Sequence, residues 1–255
     1  MKMTGNTILI TGGGSGIGRG LAEAFHALGN TVIISGRRQA MLDETVAADH
    51  GMQALTLDID MPEGVRDFAA RVIEQFPALN VVIHNAGIMR PEIVLKDPDY
   101  VATAEAILTT NVLGPIRLNA ALLPLLLKQP AATVMTVTSG LAWVPLAPTP
   151  TYCASKAAIH SYTESLRYQL KDTAVEVLEL TPPYVQTELN GPNQKTDEHA
   201  MPLHAFIAEV MSILTTQPEA KEILVKNVYA QRYAERDGRY DGMLNGLNAA
   251  MAARF

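Results

Sequence analysis

The chain has 255 residues, of which 48% are hydrophobic and 18% charged, with a formal net charge of -6. This length and composition allow a large buried core and exclude a disordered or fibrous protein. The sequence shows no basic stripe, so we expect no nucleic-acid partner. Cys153 is the single cysteine, which excludes an internal disulfide and favours a reducing, cytoplasmic location.

The sequence also gives no sign of secretion or of a membrane. The first eleven residues lack the apolar region and cleavage site of a signal peptide. The closest candidate for a membrane span, residues 120–127, is short and contains Pro124. We therefore expect no membrane partner.

Strand-like and helical segments alternate along the first 180 residues. The predicted strands are residues 7–10, 31–35, 54–57, 81–84, 133–138 and 175–180. The predicted helices are residues 17–28, 39–50, a helix from Pro62, 99–127 and 150–170. Continuous apolar strands that alternate with helices are typical of a parallel sheet covered on both faces. The prediction is an α/β fold with a doubly wound parallel sheet in a single domain, residues 1–255.

The pattern changes after the sixth predicted strand. Residues 190–202 are polar and irregular, and we predict a substrate loop or lid over residues 190–215. A helix at 205–214 and a short seventh strand at 223–225 follow. The C-terminal segment then places Tyr240, Met243, Leu244, Leu247 and Met251 on one helical face.

A glycine-rich turn follows the first predicted strand and opens the first predicted helix. Its sequence is Thr11-Gly12-Gly13-Gly14-Ser15-Gly16-Ile17-Gly18. Glycine permits a tight turn and lets the backbone approach a pyrophosphate, and the free N–H groups of a helix N-terminus bind phosphate. This context favours a dinucleotide site over an ordinary surface turn, the alternative that a glycine cluster alone leaves open.

The end of the second predicted strand indicates which dinucleotide binds. A free ribose 2′-OH usually meets a carboxylate there, whereas a 2′-phosphate requires arginine. Here the strand ends in Ser35-Gly36-Arg37-Arg38, and two guanidinium groups can pair with a phosphate. We therefore favour NADP(H), with NAD(H) as the alternative if the arginines only cover the surface of the next helix.

Tyr152 and Lys156 lie four residues apart at the start of a predicted helix and so share one face of it. A cation beside a phenol favours its ionised form, so this pair can transfer a proton nearer neutral pH. Ser139 and the Asn85-Ala86-Gly87 segment end two predicted strands, where ligands bind in parallel sheets. Asn111 lies inside the next long helix, where an isolated asparagine is mildly unfavourable.

In this order and spacing, these residues resemble the short-chain dehydrogenase/reductase family across essentially the whole chain. The matching positions are residues 11–18, Asp58, Asn85-Ala86-Gly87, Asn111, Ser139, Tyr152, Lys156 and Thr187. The resemblance implies a Rossmann-type fold. It also implies hydride transfer between a nicotinamide cofactor and a carbonyl or secondary alcohol.

The resemblance implies catalytic roles for four side chains. Tyr152 would act as the general acid in reduction and as the general base in oxidation. Lys156 would bind the nicotinamide ribose and lower the pKa of Tyr152, and Ser139 would hydrogen-bond the substrate oxygen. Asn111 would hold a water molecule that links Lys156 to solvent.

Cofactor contacts are implied in the same way. Asp58 and its neighbour Ile59 would contact the adenine, residues 85–87 would pack under the cofactor, and Thr187 would contact the nicotinamide amide. The other predicted cofactor residues are Thr11, Gly12, Ser15, Gly16, Ile17, Gly18, Pro182 and Val185.

Leu141, Trp143 and Tyr184 are the predicted substrate contacts, because together with the loop at 190–202 they could wall an apolar pocket beside Ser139. Core packing is the alternative for Trp143. The six histidines show no metal-like clustering, so no metal is predicted. The family resemblance implies a homodimer or homotetramer that uses the helices at 99–127 and 150–170.

The sequence thus predicts an oxidoreductase that transfers a hydride between NADP(H) and a small carbonyl or alcohol substrate. An NAD(H)-dependent dehydrogenase of the same family is one alternative. A non-enzymatic dinucleotide-binding sensor or scaffold is another, although the retained Asn111, Ser139, Tyr152 and Lys156 favour an enzyme.

Overall fold

The computed structural model describes residues 1–96 and 98–251. Seven strands form one parallel sheet in the order β3-β2-β1-β4-β5-β6-β7. They are β1 Thr7–Thr11, β2 Thr31–Gly36, β3 Gln53–Thr56, β4 Val81–His84, β5 Ala132–Val137, β6 Val175–Thr181 and β7 Glu222–Leu224. The predicted doubly wound parallel sheet of about seven strands is confirmed.

Helices connect the strands and cover both faces of the sheet. They are α1 Gly16–Ala27, α2 Gln39–Ala48, α3 Pro62–Gln75, α4 Tyr100–Leu108, α5 Gly114–Leu126, α6 Pro150–Gln169, α7 Leu203–Thr216, α8 Tyr229–Arg232 and α9 Tyr240–Met251. A π-helical turn, Thr109–Leu113, joins α4 to α5 without a break. The predicted single helix at 99–127 is therefore continuous in space but changes its winding at Asn111.

Strands β1, β2 and β4 carry continuous apolar runs because both of their faces are buried. Ile8 and Ile10 of β1 pack with α1 and α7, where Phe25 and Phe206 are fully buried. Leu9, between them, belongs to the opposite core beneath α3 and α5. Successive strand side chains point to opposite faces, so a strand between two cores requires apolar residues at consecutive positions.

The winding order places a crevice at one end of the sheet. Strands β1, β2 and β3 proceed in one direction, and β4 then returns to pair with β1 on its other side. The connections that leave β1 and β4 diverge at this reversal, so the carboxyl ends of these strands border an open space. Open α/β sheets bind their ligands at this point.

The continuous stretch Tyr100–Leu126 is long and apolar enough, by length and composition, to cross a membrane. The candidate identified from the sequence, residues 120–127, overlaps only the C-terminal end of this stretch. Length and composition of this kind also occur in the core helices of soluble proteins. Ile107, Leu118 and Leu122 of this stretch are fully buried within the fold.

The predicted lid at 190–215 contains two different kinds of structure. A loop with a short 3-10 helix at Pro192–Thr196 comes first, and α7 then begins at Leu203. Phe206 and Val210 of α7 are fully buried, so the second half of the segment is a core helix. The lid remains a prediction for the loop. Residue 97 and residues 252–255 of the predicted single domain lie outside the described residues.

Candidate active site

A cleft of about 460 Å³ opens at the carboxyl ends of β1, β2, β4 and β5. Ten predicted cofactor residues line it on the sheet side: Thr11, Gly12, Ser15, Gly16, Ile17, Arg37, Arg38, Asn85, Ala86 and Gly87. Ile59, Ser139, Tyr152, Lys156, Pro182, Val185 and Thr187 complete the predicted residues along its walls. The fold thus brings most of the predicted site residues into one cavity, whereas Gly18, Asp58, Asn111, Leu141, Trp143 and Tyr184 are not among the described residues that line it.

The glycine turn has the backbone conformation and packing that the sequence predicts. Gly12 and Gly16 have φ angles of 69° and 53°, a region that side chains with a Cβ rarely adopt. The Asn85 amide nitrogen donates to the Thr11 carbonyl at 2.9 Å, and the Thr11 hydroxyl accepts from the Asn85 backbone N–H at 3.1 Å. The turn is therefore fixed to the end of β4, with the N-terminus of α1 facing the cleft.

The two arginines lie at the end of the cleft next to β2. Both are exposed, and the Arg37 guanidinium lies 3.4 Å from a carboxylate oxygen of Asp60. The other oxygen of Asp60 accepts a hydrogen bond of 2.7 Å from Thr110 in the π-helical turn. Asp58 lies outside the set of described residues that line the cleft, and its carboxylate accepts from the Asp60 N–H at 3.2 Å.

The π-helical turn explains the position of Asn111. The Asn111 Oδ1 accepts from the Ile88 N–H at 2.8 Å, and its Nδ2 donates to the Ile88 carbonyl and to the Ser155 hydroxyl. Turns of this type recur at functional sites in helices. Here the turn directs a buried amide to the segment after β4 and to α6. The predicted water relay through Asn111 remains a prediction.

Ser139, Tyr152 and Lys156 converge on the inner end of the cleft. The Lys156 ammonium donates to the Val137 carbonyl at 2.8 Å and lies 5.6 Å from the centre of the Tyr152 ring. Burial raises the pKa of the Tyr152 phenol well above its usual value, and the Ser139 hydroxyl opposes part of that rise. The resemblance implied a lowered pKa for Tyr152, whereas burial in this structure raises it.

Burial also lowers the pKa of Lys156 from 10.5 to about 8. Below about pH 8, Lys156 carries its ammonium charge in both the folded and the unfolded chain. Folding then carries the full free-energy cost of removing this charge from water. As the pH rises toward 10.5, the folded chain releases this proton before the unfolded chain does. The contribution of Lys156 to stability therefore increases with pH over this window.

We expect Lys156→Met to raise the free energy of unfolding at pH 7 by about 1–2 kcal/mol, while it abolishes activity. Removing the buried ammonium stabilises the fold, and the lost hydrogen bond to Val137 offsets part of this gain. Urea unfolding between pH 7 and 10.5 should show that the gain in the free energy of unfolding of Lys156→Met over wild type decreases as the pH rises. Lys128→Met, at an exposed position, is the control. A variant less stable than wild type at pH 7 would contradict this account.

Tyr152 belongs to an apolar cluster that also contacts the C-terminal helix. Leu141, Leu247 and Met251 pack against the cluster that contains Tyr152. Asn248 fastens α9 there, because its Oδ1 accepts from the Ala147 N–H at 2.6 Å and its Nδ2 donates to the Pro145 carbonyl at 3.1 Å. The sequence predicted the apolar face of α9 but not these hydrogen bonds of Asn248.

None of the three predicted substrate residues is among the described residues that line the cleft. Leu141 packs instead against the apolar cluster that contains Tyr152. The centre of the Trp143 ring lies 4.8 Å from that of His160, with the two rings tilted by 60°, and 4.8 Å from the Arg232 guanidinium. Tyr184 donates to the Asp197 carboxylate at 2.9 Å. Contact of either side chain with a substrate remains a prediction that the present arrangement does not favour.

The structure brings together one group of metal-ligating side chains that the sequence spacing did not suggest. Ligand atoms of His160, Glu179 and Glu222 lie within 4.8 Å of one another. Each carboxylate already has a partner, since Glu179 binds His160 at 2.9 Å and Glu222 binds Arg232 at 2.9 Å. Glu179 also raises the pKa of His160 through this hydrogen bond. Ion pairing therefore accounts for the cluster.

The loop that carries Thr187 is fixed by a residue that the sequence did not indicate. Gln194 lines the cleft, and its amide nitrogen donates to the Val185 carbonyl at 2.7 Å and to the Thr187 hydroxyl at 3.1 Å. The Thr187 side chain faces the Cα of Gly16 across the cleft mouth. Nothing in the spacing of Gln194 predicts this contact, because it depends on the fold of the loop.

Comparison with known proteins identifies the family of this chain. Residues 6–198 match the short chain dehydrogenase family. An uncharacterized oxidoreductase of Bacillus subtilis, DltE, is 39% identical over 254 residues, which cover 97% of this chain and 98% of the relative. An uncharacterized oxidoreductase of Staphylococcus aureus is 28% identical and covers 89% of this chain and 99% of its own length.

Solved structures share the fold. A short chain dehydrogenase from Burkholderia cenocepacia in complex with NADP has a TM-score of 0.81 at 24% identity, covering 97% of this chain and 99% of that chain. A short chain dehydrogenase/reductase from Burkholderia phymatum in complex with NAD has a TM-score of 0.80 at 20% identity. The match covers 94% of this chain and 96% of that chain.

A doubly wound sheet with a glycine turn, a phenol and an ammonium in one cleft defines a dinucleotide-dependent oxidoreductase. The particular family follows from the sequence match and from the relative in Bacillus subtilis. The chain belongs to the short chain dehydrogenase family, whose members are NAD(P)-dependent dehydrogenases and reductases.

Proposed function

We propose that this protein reduces a ketone or aldehyde with NADPH, with Tyr152 as the proton donor. The observation that carries the proposal is the single cleft that joins the glycine turn, two arginines and the Ser139, Tyr152 and Lys156 side chains. The reverse reaction on a secondary alcohol uses the same groups. A homodimer or homotetramer is proposed on the family resemblance alone, and a cytoplasmic location on the single cysteine, Cys153.

The cleft fits a dinucleotide by its backbone as well as by its side chains. A Cβ atom at Gly12 would lie 2.9 Å from the Asn85 amide nitrogen and 3.0 Å from the Ala86 Cα, so the turn packs too closely for any other residue. Ser15, at the N-cap of α1, makes no side-chain cap hydrogen bond. The first N–H groups of α1 thus face the cleft and can bind a pyrophosphate.

At the inner end of the cleft, side chains of the protein would orient the substrate and supply a proton. A bound nicotinamide would supply the hydride. Ser139 would donate to the substrate oxygen, and Tyr152 would transfer its phenolic proton to that oxygen as negative charge develops on it. The Lys156 ammonium, held by Val137, would stabilise the phenolate that remains.

The apolar cluster beside Tyr152 supports an apolar substituent next to the reacting carbonyl. Ile88 and Met89 line the cleft and also pack in that cluster. Leu141 and Leu247 pack against it from the other side. A short apolar carbonyl compound is the class that these surfaces fit.

The arginines support NADP(H) over NAD(H). We expect the double variant Arg37→Ala, Arg38→Ala to weaken NADPH binding roughly 10- to 100-fold, because charge-assisted bonds to a 2′-phosphate are lost. NADH binding should stay unchanged. Fluorescence titration with both nucleotides measures this, with exposed Arg66→Ala as the control. Equal losses for NADPH and NADH, or none, would overturn the assignment of NADP(H).

Turnover separates an enzyme from a sensor. Purified protein with NADPH and a panel of aldehydes and ketones should consume NADPH, followed by its absorbance. Tight binding of NADPH with no consumption across the panel would favour the non-enzymatic sensor instead.

A further inference from the structure

Glu92 is a buried carboxylate outside the predicted catalytic set. It follows β4 in the segment that leads to α4, and its residue is 2% exposed. Its Oε1 accepts from the Thr151 hydroxyl at 2.7 Å, and its Oε2 accepts from the Thr151 backbone N–H at 3.0 Å. The Glu92 N–H donates to the Pro148 carbonyl at 2.7 Å. Three hydrogen bonds therefore connect Glu92 to the start of α6.

These contacts cap α6 from a distant part of the chain. Thr149, the residue before the helix, makes no side-chain cap hydrogen bond, and its hydroxyl donates to the Leu146 carbonyl. Pro150 lacks an N–H group, so the Thr151 N–H is the first orphan donor of α6. A buried carboxylate is costly unless it is hydrogen-bonded, and the start of α6 supplies hydrogen-bond donors to both oxygens of this one.

The segment that carries Glu92 also forms a wall of the cleft. Ile88, Met89 and Arg90 line it, and Asn111 holds both backbone polar groups of Ile88. Glu92 thus joins a segment fixed on the π-helical turn to the first turn of α6. Tyr152 directly follows the residue that Glu92 binds.

We propose that Glu92 is a positioning residue that fixes the first turn of α6, and with it the Tyr152 phenol, against the substrate wall of the cleft. The proposal rests on the proposed function, because it assigns Glu92 to the alignment of that proton donor. Glu92 acts through Thr151 and touches no reacting atom. Its loss should therefore reduce the rate of the chemical step and leave the nucleotide end of the cleft intact.

The test uses Glu92→Gln, which preserves the size of the side chain. Glutamine removes the negative charge, so the bond to the Thr151 N–H loses its charge assistance, and the Thr151 hydroxyl must accept from the glutamine nitrogen instead of donating to a carboxylate. We expect kcat to fall roughly 10- to 100-fold through misalignment, with NADPH affinity unchanged. Thr151→Val removes only the hydroxyl donor and should cause a smaller loss of the same kind. The double variant should be no slower than Glu92→Gln, because both changes break the same contact.

The control is Glu63→Gln. Glu63 lies in the first turn of α3, which also begins with a proline, but its side chain is exposed. It reports the effect of removing a carboxylate from a helix N-terminus away from the cleft. We expect its kcat to equal that of wild type.

Hydrogen exchange gives a readout that does not depend on turnover. In Glu92→Gln the amides of residues 151–156 should exchange faster than in wild type, whereas those of α1 should not. Unchanged kcat in an active protein would overturn the positioning role and leave the proposed function standing. A fall in NADPH affinity that parallels the fall in kcat would overturn it too, because it would indicate general unfolding. No turnover by wild type on any carbonyl would instead refute the proposed function.

Discussion

Tyr152→Phe is expected to lower kcat roughly 100- to 10,000-fold, the usual contribution of a positioned general acid, while NADPH affinity stays unchanged. The phenol is 4% exposed and lies at the inner end of the cleft with Ser139 and Lys156. Burial raises its pKa, so at neutral pH it holds the proton that a developing alkoxide needs. Phenylalanine keeps the ring and its packing but has no proton to give.

Steady-state kinetics with NADPH and any active carbonyl measures this effect. The matched control is Tyr162→Phe on the same helix, where the hydroxyl accepts a hydrogen bond of 3.1 Å from Asn119 away from the cleft. That variant should retain the wild-type kcat. Full activity in Tyr152→Phe would show that another group supplies the proton.

Gly18→Ala is expected to weaken binding of either nicotinamide dinucleotide roughly 10- to 100-fold, the equivalent of about 1–3 kcal/mol of overpacking. Gly18 does not line the cleft, although it ends the predicted glycine motif. A methyl group at Gly18 would overlap the Gly12 carbonyl oxygen and the Asn85 amide nitrogen. The turn must move to relieve this overlap, and the N–H groups that face a pyrophosphate move with it.

Isothermal titration of the variant with NADPH measures the loss. Gly246→Ala on α9 is the control, since no atom lies within 4 Å of a Cβ placed there. It should bind NADPH as wild type does and gain about 1 kcal/mol of stability, the helix propensity of alanine over glycine. Normal NADPH affinity in Gly18→Ala would mean that the glycine turn does not form the phosphate site.

Much of the fold could be predicted from the sequence because local pattern and global architecture agree. Strands β1, β2 and β4 lie between two cores and are apolar at consecutive positions, so the apolar runs in the sequence coincide with these strands. The change of winding at Thr109–Leu113 could not be predicted. It depends on the contacts of Asn111 with Ile88 and Ser155, which only the assembled structure creates.

The residues of the candidate site also fall into those that the sequence could predict and those that it could not. Residues that meet the cleft at strand ends or at a helix N-terminus were predictable, because parallel strands end at one edge of the sheet. Trp143 was predicted to reach the substrate from its position after Ser139, but its ring turns toward His160 and Arg232. Glu92 and Asn248 act on residues 59 and 101 positions away, and no spacing rule connects such pairs.

The most direct test of the central claim follows the hydride itself. NADPH deuterated at C4 of the nicotinamide, on either face, is incubated with the protein and a carbonyl that it consumes, and the alcohol is analysed by mass spectrometry. The account predicts that one of the two labelled cofactors yields alcohol with one deuterium on the carbinol carbon. Alcohol free of deuterium from both cofactors would contradict hydride transfer in this cleft.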